Sequence, residues 1–273
     1  MIKDKKTNKY TTRNNAGSFK YSDCGSNIGS RVVREALNRP NLSVNILVRD
    51  QEHNHDICEA VEKAGGRVFK GDVMNPNSIS GITKGIHTVI SCLQDEHKCL
   101  FDGQMNLLND CIQNGVQRFV PSDFSVDYSK IQTDEHPFIE YKKRFREELS
   151  KTNIKGLHIN FGLILENFLN HQINGLHYWQ NKNQVLSLTC YDDAAKFIVE
   201  AISDPNRTGQ LNFASAQLRI SDIAHIIHKV NLLLHAICSY DDMPYLAIDS
   251  VILIILLTRK VQLCIIMIIV LFV

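Results

Sequence analysis

Charge of either sign in excess is the first thing this sequence lacks. Its 30 Lys and Arg face 29 Asp and Glu, a formal balance of +1. So small a net charge attracts neither nucleic acid nor an anionic membrane, and no nucleic-acid partner is expected. Eight cysteines, at 24, 58, 92, 99, 111, 190, 238 and 264, never fall at Cys-x-x-Cys spacing. That excludes the common zinc and thiol-redox signatures. Cys92 and Cys111 sit in apolar runs, where a free thiol behaves as a small hydrophobe. A reducing, cytoplasmic setting without disulfides is expected. There is no Gly-x-Ser-x-Gly elbow to make Ser122 the nucleophile of a hydrolase. His225 and His228 have helical spacing, and His53 and His55 share a polar loop. Neither pair has an acid or cysteine placed to complete a metal site, so no metal is expected.

The two ends lack opposite things. Residues 3–27 contain no Val, Leu or Ile. Residues 1–16 read as disordered, because such a composition buries too little surface to fold, and no apolar core of a signal peptide is present. The last 23 residues hold 19 apolar ones, in pieces of 7 and 13 residues, the second including Gln262, on either side of Thr258, Arg259 and Lys260. A spanning helix needs about 20 apolar residues, so neither run suffices alone. Membrane contact would require the whole tail to insert with Arg259 and Lys260 snorkelling. Lacking an amphipathic period and caps, residues 241–273 read instead as a segment foreign to the fold, as in a mis-joined or read-through coding sequence.

Between these ends the pattern is regular. Hydrophobic residues make up 44% and charged ones 22% of the chain, ordinary for a globular α/β protein. Residues 30–39 place Val32, Val33, Ala36 and Leu37 on one helical face. Residues 43–48 (SVNILV) and 87–93 (HTVISCL) are short apolar runs, hence buried strands. Further strands are expected at 67–69, 117–120, 157–161, 186–188 and 210–214. Helices are expected at 57–64, closed by Gly65, at 76–84, at 100–114, stopped by Gly115, and at 138–151. Two more are expected after a cap at Asp192 or Asp193 and after Ser221. Strands alternating with helices argue for βαβ units and a doubly wound parallel sheet with helices on both faces. A dinucleotide-binding region over 17–153 and a small, incomplete substrate region over 154–240 follow, the latter packed beside the strand ends.

The chemistry starts at "YSDCGSNIGSRVVREAL", residues 21–37. Gly25, Ser26, Asn27, Ile28 and Gly29 have the look of a phosphate turn entering a helix, whose N-terminal N–H groups attract an anion. Asp23 stands where a first glycine is expected and Ser26 at the middle one. The strand that should precede the turn is poor, the only candidate being residues 17–22. Twenty residues after Gly29 come Arg49 and Asp50, where an acid would hold the ribose of NAD and an Arg the 2′-phosphate of NADP. Arg49 favours NADP(H) over NAD(H), since its planar fork pairs well with phosphate. Asp72, after the third strand, is placed to edge the adenine pocket.

Five stretches in order, "NIGSRVVREAL", "LVRD", "KGDVMNPNSISGITKGIHTVISCL", "RFVPSDF" and "YDDAAKFIVEAI", resemble the NmrA-like and isoflavone-reductase-like families of atypical short-chain dehydrogenases/reductases. The resemblance covers residues 25–230. It implies a Rossmann-type NAD(P)(H)-binding fold with a small C-terminal substrate region. It puts Ser91, Cys92 and Leu93 on the nicotinamide side and Ser122 in the family's Pro-Ser-Asp-Phe loop. Lys142 falls where reductases of this group keep an active-site lysine. Carbonyl reductases of the short-chain type pair such a lysine with a Tyr four positions before, but here that residue is Phe138. Either Lys142 works with Ser122, Tyr128 or water, or no proton relay exists. The first case is an NADP(H)-dependent oxidoreductase acting on a small organic molecule. The second is a dinucleotide sensor that binds a partner protein, and a fragment with impaired cofactor binding is a third reading. His177, Tyr178 and Trp179 are placed to line a substrate pocket or to pack the small domain.

Overall fold

The computed structural model describes residues 24–93, 98–131, 137–171, 183–226, 229 and 268–272. Residues 17–22 and the trio His177, Tyr178 and Trp179 lie outside them.

The strands expected at 43–48, 67–69, 87–93, 117–120, 157–161, 186–188 and 210–214 all appear, and the central pair is the clearest case. β1 (Val44–Val48) and β3 (Thr88–Cys92) are buried at all five positions. Strands covered on both faces read as continuous apolar runs because each face meets helices. Ile46, Val48, Ile90 and Cys92 pack with Val32 and Val33 of α1 (Cys24–Leu37) and Ile198 and Val199 of α6 (Tyr191–Ser203). Leu47 and Val89, pointing the other way, pack with Leu107 and Leu108 of α3 (Gln104–Asn114) and Phe145 and Leu149 of α4 (Pro137–Ser150). The period of two along each strand thus divides the core into two layers.

Flanking them are α2 (His55–Lys63), β2 (Val68–Lys70), β4 (Arg118–Val120), β5 (Lys155–Asn160) and β8 (Gly209–Asn212). Gly115 stops α3 in the left-handed region at φ 73°, as its position predicts. A second sheet contains β6 (Leu163–Ile164), β7 (Val185–Thr189) and β9 (Ala216–Arg219), and α5 (Leu165–His171) follows β6. Residues 220–226 are helical, so Ser221 lies inside that helix rather than capping it. The cap of α6 is also displaced. Cys190 Sγ, not Asp192 or Asp193, accepts from a first-turn amide, that of Asp193 at 3.4 Å. Asp192 instead pairs with Arg31 at 2.7 Å across the α1–α6 contact.

The main sheet runs β2-β1-β10-β3-β4-β5-β8, with β10 being Ile268–Phe272. Every neighbouring pair is parallel except the two made by β10. Apart from β10, this is the doubly wound order 3-2-1-4-5-6 with a seventh strand added. β10 occupies the place of strand 1 and runs antiparallel to both neighbours. Val270 lies opposite Ile46 on one side and Ile90 on the other. Of the apolar tail the described residues are 268–272, and these take the central place in the sheet. An all-apolar run with many β-branched residues suits a strand paired along both edges. Among the described residues, no helix is long and apolar enough to cross a membrane.

Candidate functional site

Parallel strands deliver their C-terminal ends to one edge, where open α/β sheets receive ligands. Leu93 follows β3 there, and Ser122 and Asp123 follow β4. Ser122 is buried, its amide donating to Gln104 Oε1 at 2.9 Å. Its hydroxyl donates to the Leu93 carbonyl. That bond ties the end of β4 to the end of β3 and occupies the one proton Ser122 has to give.

Asp123, 2% exposed, is the hub of the edge. Its Oδ1 accepts from the Tyr128 hydroxyl and its Oδ2 meets Nδ1 of His158 in β5, both at 2.7 Å. Its backbone carbonyl accepts from Lys142 Nζ of α4 at 2.6 Å. The same ammonium donates to Ser125 Oγ at 3.1 Å. Lys142 is thus not one more solvated charge in "KKRFREEL". It is partly buried, and its head is held at the ligand edge by two oxygens. Burial draws its pKa below the ordinary lysine value, while the Asp123 carboxylate acts in the opposite sense. Burial, reinforced by Asp123, pushes the Tyr128 phenol far above its usual range. Tyr128 consequently offers no easily released proton.

The other expected positions are more dispersed. Gly25, Ser26, Asn27, Ile28 and Gly29 lie within the first turns of α1, not in a turn before it. Arg49 and Asp50 follow β1 and are exposed. Asp50 Oδ1 turns back to accept from the His53 amide at 3.2 Å. Asp72 Oδ1 accepts from the Met74 amide at 2.9 Å, so that carboxylate shapes its own turn. Ser91 and Cys92 are fully enclosed in β3. Burial pushes the Cys92 thiol up to about 12, which makes it inert near neutrality. Ser91 Oγ is buried with no hydrogen-bond partner among the described residues.

With that geometry in hand, residues 25–249 match the NmrA-like family. The chain belongs to the NmrA-like family. No protein of curated function matches it by sequence. Solved structures of similar shape include an isoflavone reductase, 17% identical, with a TM-score of 0.64 over 75% of this chain and 72% of that one. The triphenylmethane reductase of Citrobacter sp., complexed with NADP(H), is 14% identical with a TM-score of 0.60 over 74% and 72%. The leucoanthocyanidin reductase of Vitis vinifera, in a binary complex with NADPH, is 20% identical with a TM-score of 0.60 over 86% and 84%. At these identities the likeness carries the fold, a Rossmann-type α/β sheet.

Two buried polar arrangements of this NmrA-like chain are not visible to motif reading. His158 lies in the strand "KGLHIN" and has no motif around it. A polar residue at a buried strand position was the available signal. Glu166 also escapes notice. It accepts from the Tyr191 amide at 3.0 and 3.2 Å, and desolvation raises its pKa. It so closes the N-terminus of α6. Among the described residues no cluster of His, Cys, Asp or Glu is arranged to hold a metal ion.

Proposed function

We propose that this protein binds NADP(H) and reduces a small organic carbonyl or enone, with the Lys142 ammonium facing the oxygen on which charge develops. The observation that carries the reading is the seat of Lys142 at the ligand edge, held by the Asp123 carbonyl and Ser125 Oγ. A cation fixed in a partly dry site stabilises developing charge more than one in water. The NADP(H) named with two of the structurally similar reductases supports the cofactor. So does Arg49, exposed beside an Asp50 already engaged with His53. The N-terminus of α1 presents its amides and positive dipole end to an anion. NADPH, when bound, supplies the hydride; the chain orients the acceptor and holds the charge.

Purified protein titrated with NADPH and then offered a panel of aldehydes and enones tests this. Binding with turnover is expected, and Lys142→Ala should lower kcat/KM by about a hundredfold or more. Arg49→Ala should weaken NADPH binding about tenfold and leave NADH binding unchanged, measured by calorimetry. Equal losses for both cofactors would remove Arg49 from the 2′-phosphate.

One observation favours a second reading. Phe138, four residues before Lys142, carries no hydroxyl. The hydroxyls of Tyr128 and Ser122 are engaged with Asp123 and Leu93. With both of those hydroxyls engaged, the second reading is a cytoplasmic dinucleotide sensor that binds a partner protein. NADPH binding without turnover, unaffected by Lys142→Ala, would establish that reading over the first. Failure to bind NADPH at all would favour a chain with impaired cofactor binding.

A further inference from the structure

The opposite end of the sheet, where the parallel strands begin, carries a cleft of its own. Its cavity is about 270 Å³, lined by Asn45 of β1, Arg67 just before β2, Phe69 within β2, and Ile82, Lys84 and Ile86 on the approach to β3. Gly65 and Gly85 lie in turns along it at φ 83° and 77°, a left-handed backbone that glycine adopts without strain. Arg67 and Lys84 are exposed, and neither forms an ion pair or a side-chain hydrogen bond among the described residues. Among those residues no Asp or Glu lines the cleft, so its positive charge is not balanced.

Asn45 is 7% exposed and shares the face of β1 that carries Leu47. Its Oδ1 accepts from the Arg67 amide at 2.7 Å. An N–H needs an oxygen, so the free end of the side chain is Nδ2. Nδ2 carries two donors, has no hydrogen-bond partner among the described residues, and is not sealed from the cleft. A buried donor left unpaired costs free energy, and an acceptor on a ligand would remove that cost.

We propose that this cleft is a second ligand site, for the phosphate monoester of a small organic molecule. A phosphate has acceptors for the Arg67 fork, the Lys84 ammonium and Asn45 Nδ2 together, and its two negative charges match the two cations. A carboxylate would match one of them. Half-buried Phe69, with Ile82 and Ile86, offers the organic body an apolar wall. The cavity is below the roughly 300 Å³ at which drug-sized ligands begin to fit, so it suits a single ring or short chain and not a dinucleotide. Ser122, Asp123 and Lys142 gather at the other ends of the strands, so the two places fill independently.

Calorimetric titration of the full chain with phenyl phosphate at low ionic strength tests this, with inorganic phosphate in parallel. Wild type is expected to bind phenyl phosphate with a Kd below about 1 mM, and inorganic phosphate about tenfold more weakly for want of the apolar contact. Arg67→Gln and Lys84→Gln should each weaken phenyl phosphate about tenfold or more. In Asn45→Asp the Arg67 amide keeps its acceptor while an oxygen replaces Nδ2, and binding should disappear. No binding by wild type, or equal affinity for the two phosphates, overturns the proposal. So does undiminished binding in any of the three variants, which would put the anion elsewhere, as at the N-terminus of α1. Should Asn45→Asp not fold, the two exposed positions decide. Neither cofactor nor acceptor enters the titration, so its outcome is separate from that of the reductase reading.

Discussion

Val270→Pro is expected to destabilise the protein by about 3 kcal/mol or more, enough to abolish a cooperative urea transition in a marginally stable domain. Val270 is the middle residue of β10, opposite Ile46 in β1 and Ile90 in β3. A strand paired on both edges uses each of its N–H groups, alternately to one neighbour and the other. Proline removes one such donor, and its ring does not fit a central strand. Both neighbours are buried along their whole length, so their freed carbonyls would have no water to turn to. Circular dichroism against urea measures the effect. A transition superimposable on wild type would mean that the tail does not hold the central place in the sheet.

Arg118→Leu is expected to cost about 3 kcal/mol, read from the urea midpoint at unchanged slope. Arg118 is the first residue of β4 and is 2% exposed. Its guanidinium donates to the carbonyls of Asp204 at 2.5 Å, Ile202 at 2.7 Å and Arg207 at 3.2 Å, and to Thr88 Oγ1 at 3.1 Å. The first two carbonyls lie at the C-terminal end of α6, where helices leave acceptors unpaired and favour a cation. Burial lowers the guanidinium pKa and the Asp204 carboxylate partly restores it. Leucine fills the volume but leaves those acceptors without a donor. Arg118→Lys should recover only part of the loss, because one ammonium cannot span the planar fan of acceptors. A cost under about 1 kcal/mol would mean that the sheet alone anchors the end of α6.

The elements read best from sequence were those whose pattern is local. β1 and β3 were legible as apolar runs, and α3 through its stop at Gly115. The cap of α6 was misplaced because Asp192 and Asp193 satisfy the local preference while Cys190 has the geometry and Arg31, 161 residues earlier, takes Asp192. β9 was missed because Ala-Gln-Leu-Arg carries little apolar signal and, among the described residues, pairs only with β7. In the candidate site Ser122 and Lys142 were legible through their motifs. That the Ser122 hydroxyl is spent on Leu93, and that Lys142 is held rather than solvated, followed from contacts over 29 and 19 residues of sequence.

Apolar period, glycine stops and motif order were enough, by sequence alone, to determine an alternating α/β chain of the NmrA-like kind with helices on both faces of its sheet. Each of these depends on residues near one another in the chain. Tertiary structure decided what fills the middle of the sheet and what surrounds Lys142. Strand pairing is made by backbone N–H and C=O groups that nearly all residues share, so an apolar tail announces burial but not which place it takes or in which direction. The Asp123, Tyr128 and His158 cluster likewise arises only when β4, the loop after it and β5 are laid side by side.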